Sequence, residues 1–168
     1  MKIIITGTPC TGKTLVAKIL GKKLKLPVTH INEFIKKKKI GMKKGKEIEV
    51  YLPKLKKELS NINGIIESHL LCEFSIPNSI VFVLRCNPHI LEKRMKKRRY
   101  SATKIRENLE CEALDYCTQL AEKNYSKVYD IDTTKCTPYK TAEKILKILK
   151  EKSKGDYVDF SNWFLENY

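Results

Sequence analysis

The residues Gly7-Thr8-Pro9-Cys10-Thr11-Gly12-Lys13-Thr14 satisfy the pattern G-x-x-x-x-G-K-[ST] at every fixed position. An apolar run, Ile3-Ile4-Ile5, precedes them, and a helical pattern, Leu15-Val16-Ala17-Lys18-Ile19-Leu20, follows. In that strand–loop–helix setting the pattern is a phosphate-binding loop, and its chemistry is the capture of a nucleoside triphosphate with Mg²⁺. Gly7 and Gly12 allow backbone angles and close approaches that a Cβ forbids. The loop N–H groups then point inward at phosphate oxygens, and the helix N-terminus adds partial positive charge. Lys13 is placed to reach the β- and γ-phosphates, and the Thr14 hydroxyl is the expected Mg²⁺ ligand. The expected nucleotide contacts are therefore Gly7, Thr8, Pro9, Cys10, Thr11, Gly12, Lys13, Thr14 and Leu15. Positive potential in the loop could lower the pKa of Cys10, but a small residue filling a loop position is the simpler reading.

Further groups have chemistry to offer. Glu67-Ser68-His69 ends an apolar run, Gly64-Ile65-Ile66. An acidic residue at such a strand end helps order Mg²⁺ and its waters, so Glu67 is the second candidate for the metal. His69 lies just beyond, where it could contact a phosphate or orient a water. Arg94 and Arg98 stand four apart on a helical pattern and share a face. Two guanidinium groups at the mouth of a phosphate site suit a transition state whose charge spreads over oxygens. By spacing alone, a basic solvent face beside Lys96 and Lys97 explains them equally well. No Asn-Lys-x-Asp guanine-reading motif occurs, which argues against a GTPase.

These groups need a scaffold, and the pattern alternates strand and helix, which predicts a parallel sheet covered on both faces. Strands are expected at residues 2–5, 27–30, 64–68, 80–84 and 128–131. The run Ile80-Val81-Phe82-Val83-Leu84 reads as a strand buried on both faces. Helices are expected at residues 13–24, from Asn32 as a cap into the lysines, at 52–59, from Asn87-Pro88 to 97, as one long helix over 104–124, and from Pro138 onward. Residues 40–50 are polar, contain Gly41 and Gly45, and read as a mobile connection. Phe160, Trp163, Phe164 and Tyr168 follow a helical spacing in the tail, which is expected to dock on the body.

A chain of 168 residues suggests one compact domain. No apolar run approaches the roughly 20 residues that span a bilayer, and no signal-peptide layout opens the chain, so a cytoplasmic location without membrane contact is expected. The six cysteines are scattered without a C-x-x-C pair, which disfavours a disulfide framework or a zinc site. The formal net charge is +15, from 34 Lys plus Arg against 19 Asp plus Glu. Much of it lies in the runs Lys36-Lys37-Lys38-Lys39, Lys43-Lys44, Lys56-Lys57 and Lys96-Lys97-Arg98-Arg99. Such a balance favours polyanionic ligands, nucleotides or nucleic acid. A lysine-rich surface of heat-adapted type would account for part of the excess.

Taken together, these residues resemble the adenylate-kinase-like proteins of archaea and eukaryotes, the group that includes the coilin-interacting nuclear ATPase. The likeness covers residues 2–149. It rests on the phosphate-binding loop, on His30-Ile31-Asn32, and on Gly64-Ile65-Ile66-Glu67-Ser68-His69, where the family has an Asp-x-His signature. It also rests on Val81-Phe82-Val83-Leu84-Arg85, on Arg94 with Arg98-Arg99-Tyr100, and on the specific stretch Asn108-Leu109-Glu110-Cys111-Glu112. The resemblance implies an α/β P-loop NTPase fold of the nucleoside monophosphate kinase type: a parallel five-stranded sheet with helices on both faces. It implies a single domain over 1–168, with a monophosphate-binding lobe at about 32–59 and a short lid at about 98–103. It places Arg98 near the triphosphate and Lys135 near the adenine. It implies broad monophosphate kinase activity, with AMP the leading acceptor, together with ATPase activity. It further implies a part in late 30S subunit maturation, through a small-subunit ribosomal protein next to 16S rRNA. Two features depart from the family. Glu67 stands where the family has Asp, one methylene longer. Residues 40–59 are short and basic where relatives tend to be acidic.

The expected reaction is ATP + NMP ⇌ ADP + NDP, with slower ATP hydrolysis. Lys13, Arg94 and Arg98 would stabilise moving charge, Thr14 and Glu67 would hold Mg²⁺, and His69 would orient the acceptor or a water. The rival is a ribosome-assembly switch in which ATP hydrolysis times release of a protein–RNA partner and kinase turnover is incidental. A P-loop kinase for a small metabolite is a third reading, disfavoured by the match at residues 108–112.

Overall fold

The computed structural model describes residues 2–44 and 47–167. Five parallel strands form the sheet: β1 (Lys2–Thr6), β2 (Val28–His30), β5 (Gly64–Glu67), β6 (Ser79–Arg85) and β7 (Val128–Asp132). Their order across the sheet is β2-β5-β1-β6-β7, so the loop-bearing strand β1 lies at the centre. Parallel strands need crossovers, and helices supply them on both faces. Alternation along β1 divides the core. Ile4 faces a cluster with Ile31, Leu55, Leu71 and Ala121, while Ile3 and Ile5 face another with Val16, Leu20, Ala142 and Ile145. The first cluster brings in α2 (Ile31–Lys38), α3 (Leu52–Ser60) and α6 (Tyr116–Asn124); the second brings in α1 (Lys13–Leu24) and α7 (Pro138–Glu151). The doubly covered sheet expected from the strand–helix alternation is the fold observed. No helix among the described residues is long and apolar enough to cross a membrane.

Several local expectations are corrected. Residues 104–124 form two helices, α5 (Ala102–Ala113) and α6, rather than one. The break falls at Asp115, whose φ of 54° is left-handed. Its carboxylate ion-pairs with Arg85, which an uninterrupted helix would not deliver in the same way. Residues 40–50 are not simply a connection. Antiparallel strands β3 (Met42–Lys44) and β4 (Glu47–Glu49) pair there, and Gly45 and Lys46 lie outside the described residues. The N-cap of α2 is His30 rather than Asn32, which sits within the first turn.

The tail docks. After α7, the Asp156 N–H donates to the Asp130 carbonyl at 2.8 Å, and the Asp156 carboxylate accepts from the Asp132 N–H at 2.8 Å and from Lys144 Nζ at 2.7 Å. The chain then reaches α8 (Asn162–Asn167). Trp163 of α8 is buried against Leu91 and Met95 of α4 (Pro88–Lys97) and Ile105 and Leu109 of α5. Tyr168, expected on the same face, lies outside the described residues. Trp163→Ala should cost about 3–5 kcal/mol, the range for truncating a large buried aromatic. Urea unfolding followed by circular dichroism measures this without the lost fluorophore, the chain's one tryptophan.

Candidate active site

The loop after β1 passes over the end of β6. At Gly7 φ is +127°, and a Cβ there would lie 2.3 Å from the Leu84 carbonyl oxygen. The close approach that Gly7 permits is thus to the neighbouring strand. Gly12 has φ +102° with nothing near its Cβ position, so only its backbone angle demands glycine. Gly12 caps α1 without a side-chain hydrogen bond, and no acidic residue stands in the first turn. The helix therefore begins with N–H groups that no side chain caps.

Lys13 is buried, and its ammonium donates to the carbonyls of Gly7 at 2.8 Å and Thr8 at 2.9 Å. No carboxylate among the described residues forms an ion pair with it. Burial pulls its pKa below the ordinary lysine value, against the more distant pull of Cys117, Glu67, Cys10 and Glu112. A buried cation on two carbonyls, beside an uncapped helix N-terminus, fits a polyphosphate.

The strand-end carboxylate stands opposite. Glu67 is buried, and its Oε1 accepts from the Thr14 hydroxyl at 3.3 Å and from His30 Nδ1 at 2.9 Å. A hydroxyl and a carboxylate in contact are hard oxygen donors of the kind Mg²⁺ takes, so the pair fits that ion. His69 follows at the start of a 3-10 turn, His69–Cys72, capped by Ser68. Its ring has open surface, yet the crowding cleft walls and then Lys13 hold its pKa below the ordinary value, with Glu67 opposing. A histidine so shifted is neutral at pH 7, able to accept as well as donate.

Two cavities meet at the loop. One, of about 220 Å³, gathers Lys13, Thr14, Asn32, Glu67, His69 and Arg98. Another, of about 250 Å³, lies on the far side of Cys10 and Gly12 and holds Arg94, Arg98, Thr133, Cys136 and Thr141. Arg98 lines both, and Arg94 Nη2 donates to the Thr133 carbonyl at 3.2 Å. Arg94, half-buried, and Arg98, still exposed at the end of α4, thus both border the cleft. Thr8, Pro9, Thr11 and Leu15 stand where the motif puts them; Pro9 and Leu15 line the first cavity, and Thr11 lines the second. Lys135 stands apart: it is exposed and lines neither cavity, whereas its neighbour Cys136 does.

Sequence reasoning missed what lies behind the loop. The Thr8 hydroxyl donates to Glu112 Oε2. Glu112, fully buried, accepts at Oε1 from Arg85 Nε and the Cys86 N–H, both at 2.9 Å. Arg85 also binds Asp115, and Asp130 at 3.1 Å. Glu112 was visible only as part of a family-like stretch, and Arg85 only as the end of a strand. Tyr100 was also missed; it lines the first cavity with Cys10.

A family profile described as "AAA domain" matches residues 3–115. A protein of Pyrococcus abyssi named "Putative adenylate kinase" is 36% identical over 172 residues, covering 99% of this chain and 94% of that one. Its namesake in Methanocaldococcus jannaschii is 35% identical, covering 99% and 96%. Among solved structures, shikimate kinase from Aquifex aeolicus has a TM-score of 0.64 at 18% identity, over 90% of this chain and 98% of that one. Deoxyadenosine kinase from M. mycoides with bound dATP has a TM-score of 0.57 at 18% identity, over 89% and 100%. At such identities the structural likeness speaks for the fold, a P-loop kinase fold, while the archaeal sequences speak for kinship. The chain belongs to the adenylate-kinase-like family that those archaeal proteins represent.

Proposed function

We propose that this protein is a Mg²⁺-dependent nucleoside monophosphate kinase, ATP + NMP ⇌ ADP + NDP, with slower ATP hydrolysis. The observation that carries the reading is the convergence on one cavity of Lys13, Thr14, Glu67, His69 and Arg98 with Asn32 from the acceptor-side lobe. The triphosphate runs along the uncapped start of α1, and Lys13 leaves its carbonyl partners for phosphate oxygens. The nucleotide base takes the second cavity, between Arg98 and the Thr133–Thr141 wall. Thr14 and Glu67 are the residues that would hold Mg²⁺, which would neutralise phosphate charge when bound. Once the nucleotide is bound, Lys13, Arg94 and Arg98 place positive charge where the transferring group spreads negative charge. His69, neutral, orients the acceptor. The short lid at about residues 98–103 closes with the lobe and excludes water.

A second reading is favoured by a separate observation, the exposed cations Lys36, Lys37, Lys38 and Lys39 on and after α2 and Lys54, Lys56 and Lys57 on α3. They suit a polyanionic partner, and the family resemblance names a small-subunit ribosomal protein beside 16S rRNA. ATP turnover would then time release of that partner. One assay set separates the two. ADP formation from ATP is measured alone, with AMP, CMP or UMP, and with the ribosomal protein. The kinase predicts strong stimulation by AMP, with two ADP formed per AMP consumed. A response to the ribosomal protein without one to any monophosphate would overturn it in favour of the switch.

A further inference from the structure

We infer that His30 is a positioning residue for the metal side of the cleft, fixing the Glu67 carboxylate through Nδ1. The inference rests on the reading of Glu67 as the carboxylate that serves Mg²⁺. His30 ends β2, pairs in register with Glu67 of β5, and is the N-cap of α2. An N-cap side chain ordinarily accepts from its own helix's free N–H groups. His30 makes no such bond. Its ring turns across to β5 instead, and Nδ1 lies 2.9 Å from Glu67 Oε1. The two side chains are 16% and 11% exposed, so the contact is shielded from bulk water. An ionised carboxylate can only accept, so Nδ1 carries the proton and donates.

The consequence for Glu67 is geometric. Oε1 receives both His30 and the Thr14 hydroxyl, while Oε2 accepts no hydrogen bond from the described residues. One oxygen is anchored and the other is left for the cleft that Glu67 lines. A glutamate has one torsion more than an aspartate, and ordering the longer side chain costs conformational entropy. His30 bears that cost before any ligand arrives. Partners that orient a metal-binding carboxylate are worth about 10–100-fold in metal affinity or activity. His30 also immediately precedes α2, whose Asn32 lines the same cavity. Seating of an acceptor against α2 and the placement of Glu67 therefore share one residue.

The test compares His30→Ala, His30→Asn and Glu67→Gln with the unaltered protein. Calorimetry measures ATP affinity across a Mg²⁺ series and again in EDTA, and thermal unfolding monitors the fold. An Asn side-chain N–H occupies the position of Nδ1, so His30→Asn is the conservative rescue. We expect His30→Ala to raise the Mg²⁺ needed for half-maximal ATP binding by about tenfold or more, with ATP affinity in EDTA and the melting temperature unchanged. His30→Asn should restore most of the loss. If Glu67→Gln weakens the Mg²⁺ response and His30→Ala does not, the role of His30 is wrong. An equal loss in His30→Ala and His30→Asn, or a loss that persists in EDTA, also overturns it. If Glu67→Gln leaves the Mg²⁺ response intact, the underlying metal reading fails instead.

Discussion

Lys13→Ala should reduce ADP formation about 10²–10³-fold, a loss of about 3–4 kcal/mol of transition-state stabilisation, in a protein that remains folded. The two halves of that expectation come from the same contacts. In this structure the Lys13 ammonium is buried and its hydrogen bonds go to two carbonyls, Gly7 and Thr8. Removing it forfeits two charge-assisted bonds, each worth about 1.5–3 kcal/mol. It also relieves the desolvation of a buried cation, several kcal/mol in the other direction. The terms offset, and unfolding in urea should shift by no more than about 1 kcal/mol. Ligand response should change far more. At 100 times its dissociation constant, a nucleotide stabilises its protein by about 2.7 kcal/mol, and Mg-ATP should lose that effect on the variant. Lys13→Arg should not recover turnover, because a planar guanidinium cannot fill the place of a compact ammonium threaded between two carbonyls. Full turnover in Lys13→Ala would show that the cleft is not where phosphate is transferred.

Part of this site was legible in the sequence because its determinants are contiguous. The loop motif, the apolar run before it and the helical pattern after it stand within twenty residues, and each supports the same backbone path. Glu67 was legible for a related reason: it ends an apolar strand, and strands of a parallel sheet end on one edge. The hairpin β3–β4 was not legible. Its strands are three residues each and rich in lysine and glutamate, so the one apolar residue in each, Met42 and Ile48, is too little alternation to mark a strand. The break between α5 and α6 was hidden for the opposite reason. Leu109, Ala113, Cys117 and Ala121 keep a four-residue spacing through it, and the residue in left-handed geometry is Asp115, not a glycine.

Other long-range polar contacts escaped. His30 meets a residue 37 positions away. Arg85 meets Glu112, Asp115 and Asp130 at separations of 27, 30 and 45. Nothing in the types or spacing of those residues distinguishes them from surface charges, which are far commoner. The second cavity is similar: Arg94, Thr133 and Thr141 are brought together by α4, the loop after β7 and the first turn of α7, and only folding makes them neighbours.

Arg85→Ala should destabilise the fold by about 3–5 kcal/mol, against a total of about 5–15 kcal/mol for a domain. The Arg85 side chain is 1% exposed, as is that of Glu112. Burial would lower the pKa of the guanidinium, but Glu112, Asp115 and Asp130 outweigh it and keep the group charged. Arg85 also donates to the Thr118 hydroxyl at 3.2 Å and the Glu112 carbonyl at 2.9 Å, and the Phe160 ring of the tail lies 5.6 Å from Cζ. Alanine would leave three carboxylates facing a space with no cation. Burial already pushes the pKa of Asp130 up, with Arg85 pulling it down, and removing Arg85 raises it further. The sign of the pH dependence follows. A carboxylate whose folded pKa lies above its unfolded value penalises folding at neutral pH, and the penalty fades as acid protonates it. The deficit of Arg85→Ala should therefore be larger at pH 7 than at pH 5. Glu112→Gln in the Arg85→Ala background should recover part of it, since the amide removes the charge at the most buried of the three carboxylates. Urea unfolding of both variants at the two pH values measures all of this. The loop should register the change as well, because the Thr8 hydroxyl rests on Glu112. An Arg85→Ala protein that folds should bind Mg-ATP more weakly, and the double variant, whose Gln amide oxygen still accepts from Thr8, should bind it better than the single. A deficit that is flat in pH would mean that Arg85 contributes packing, with its three carboxylates solvated well enough to do without it.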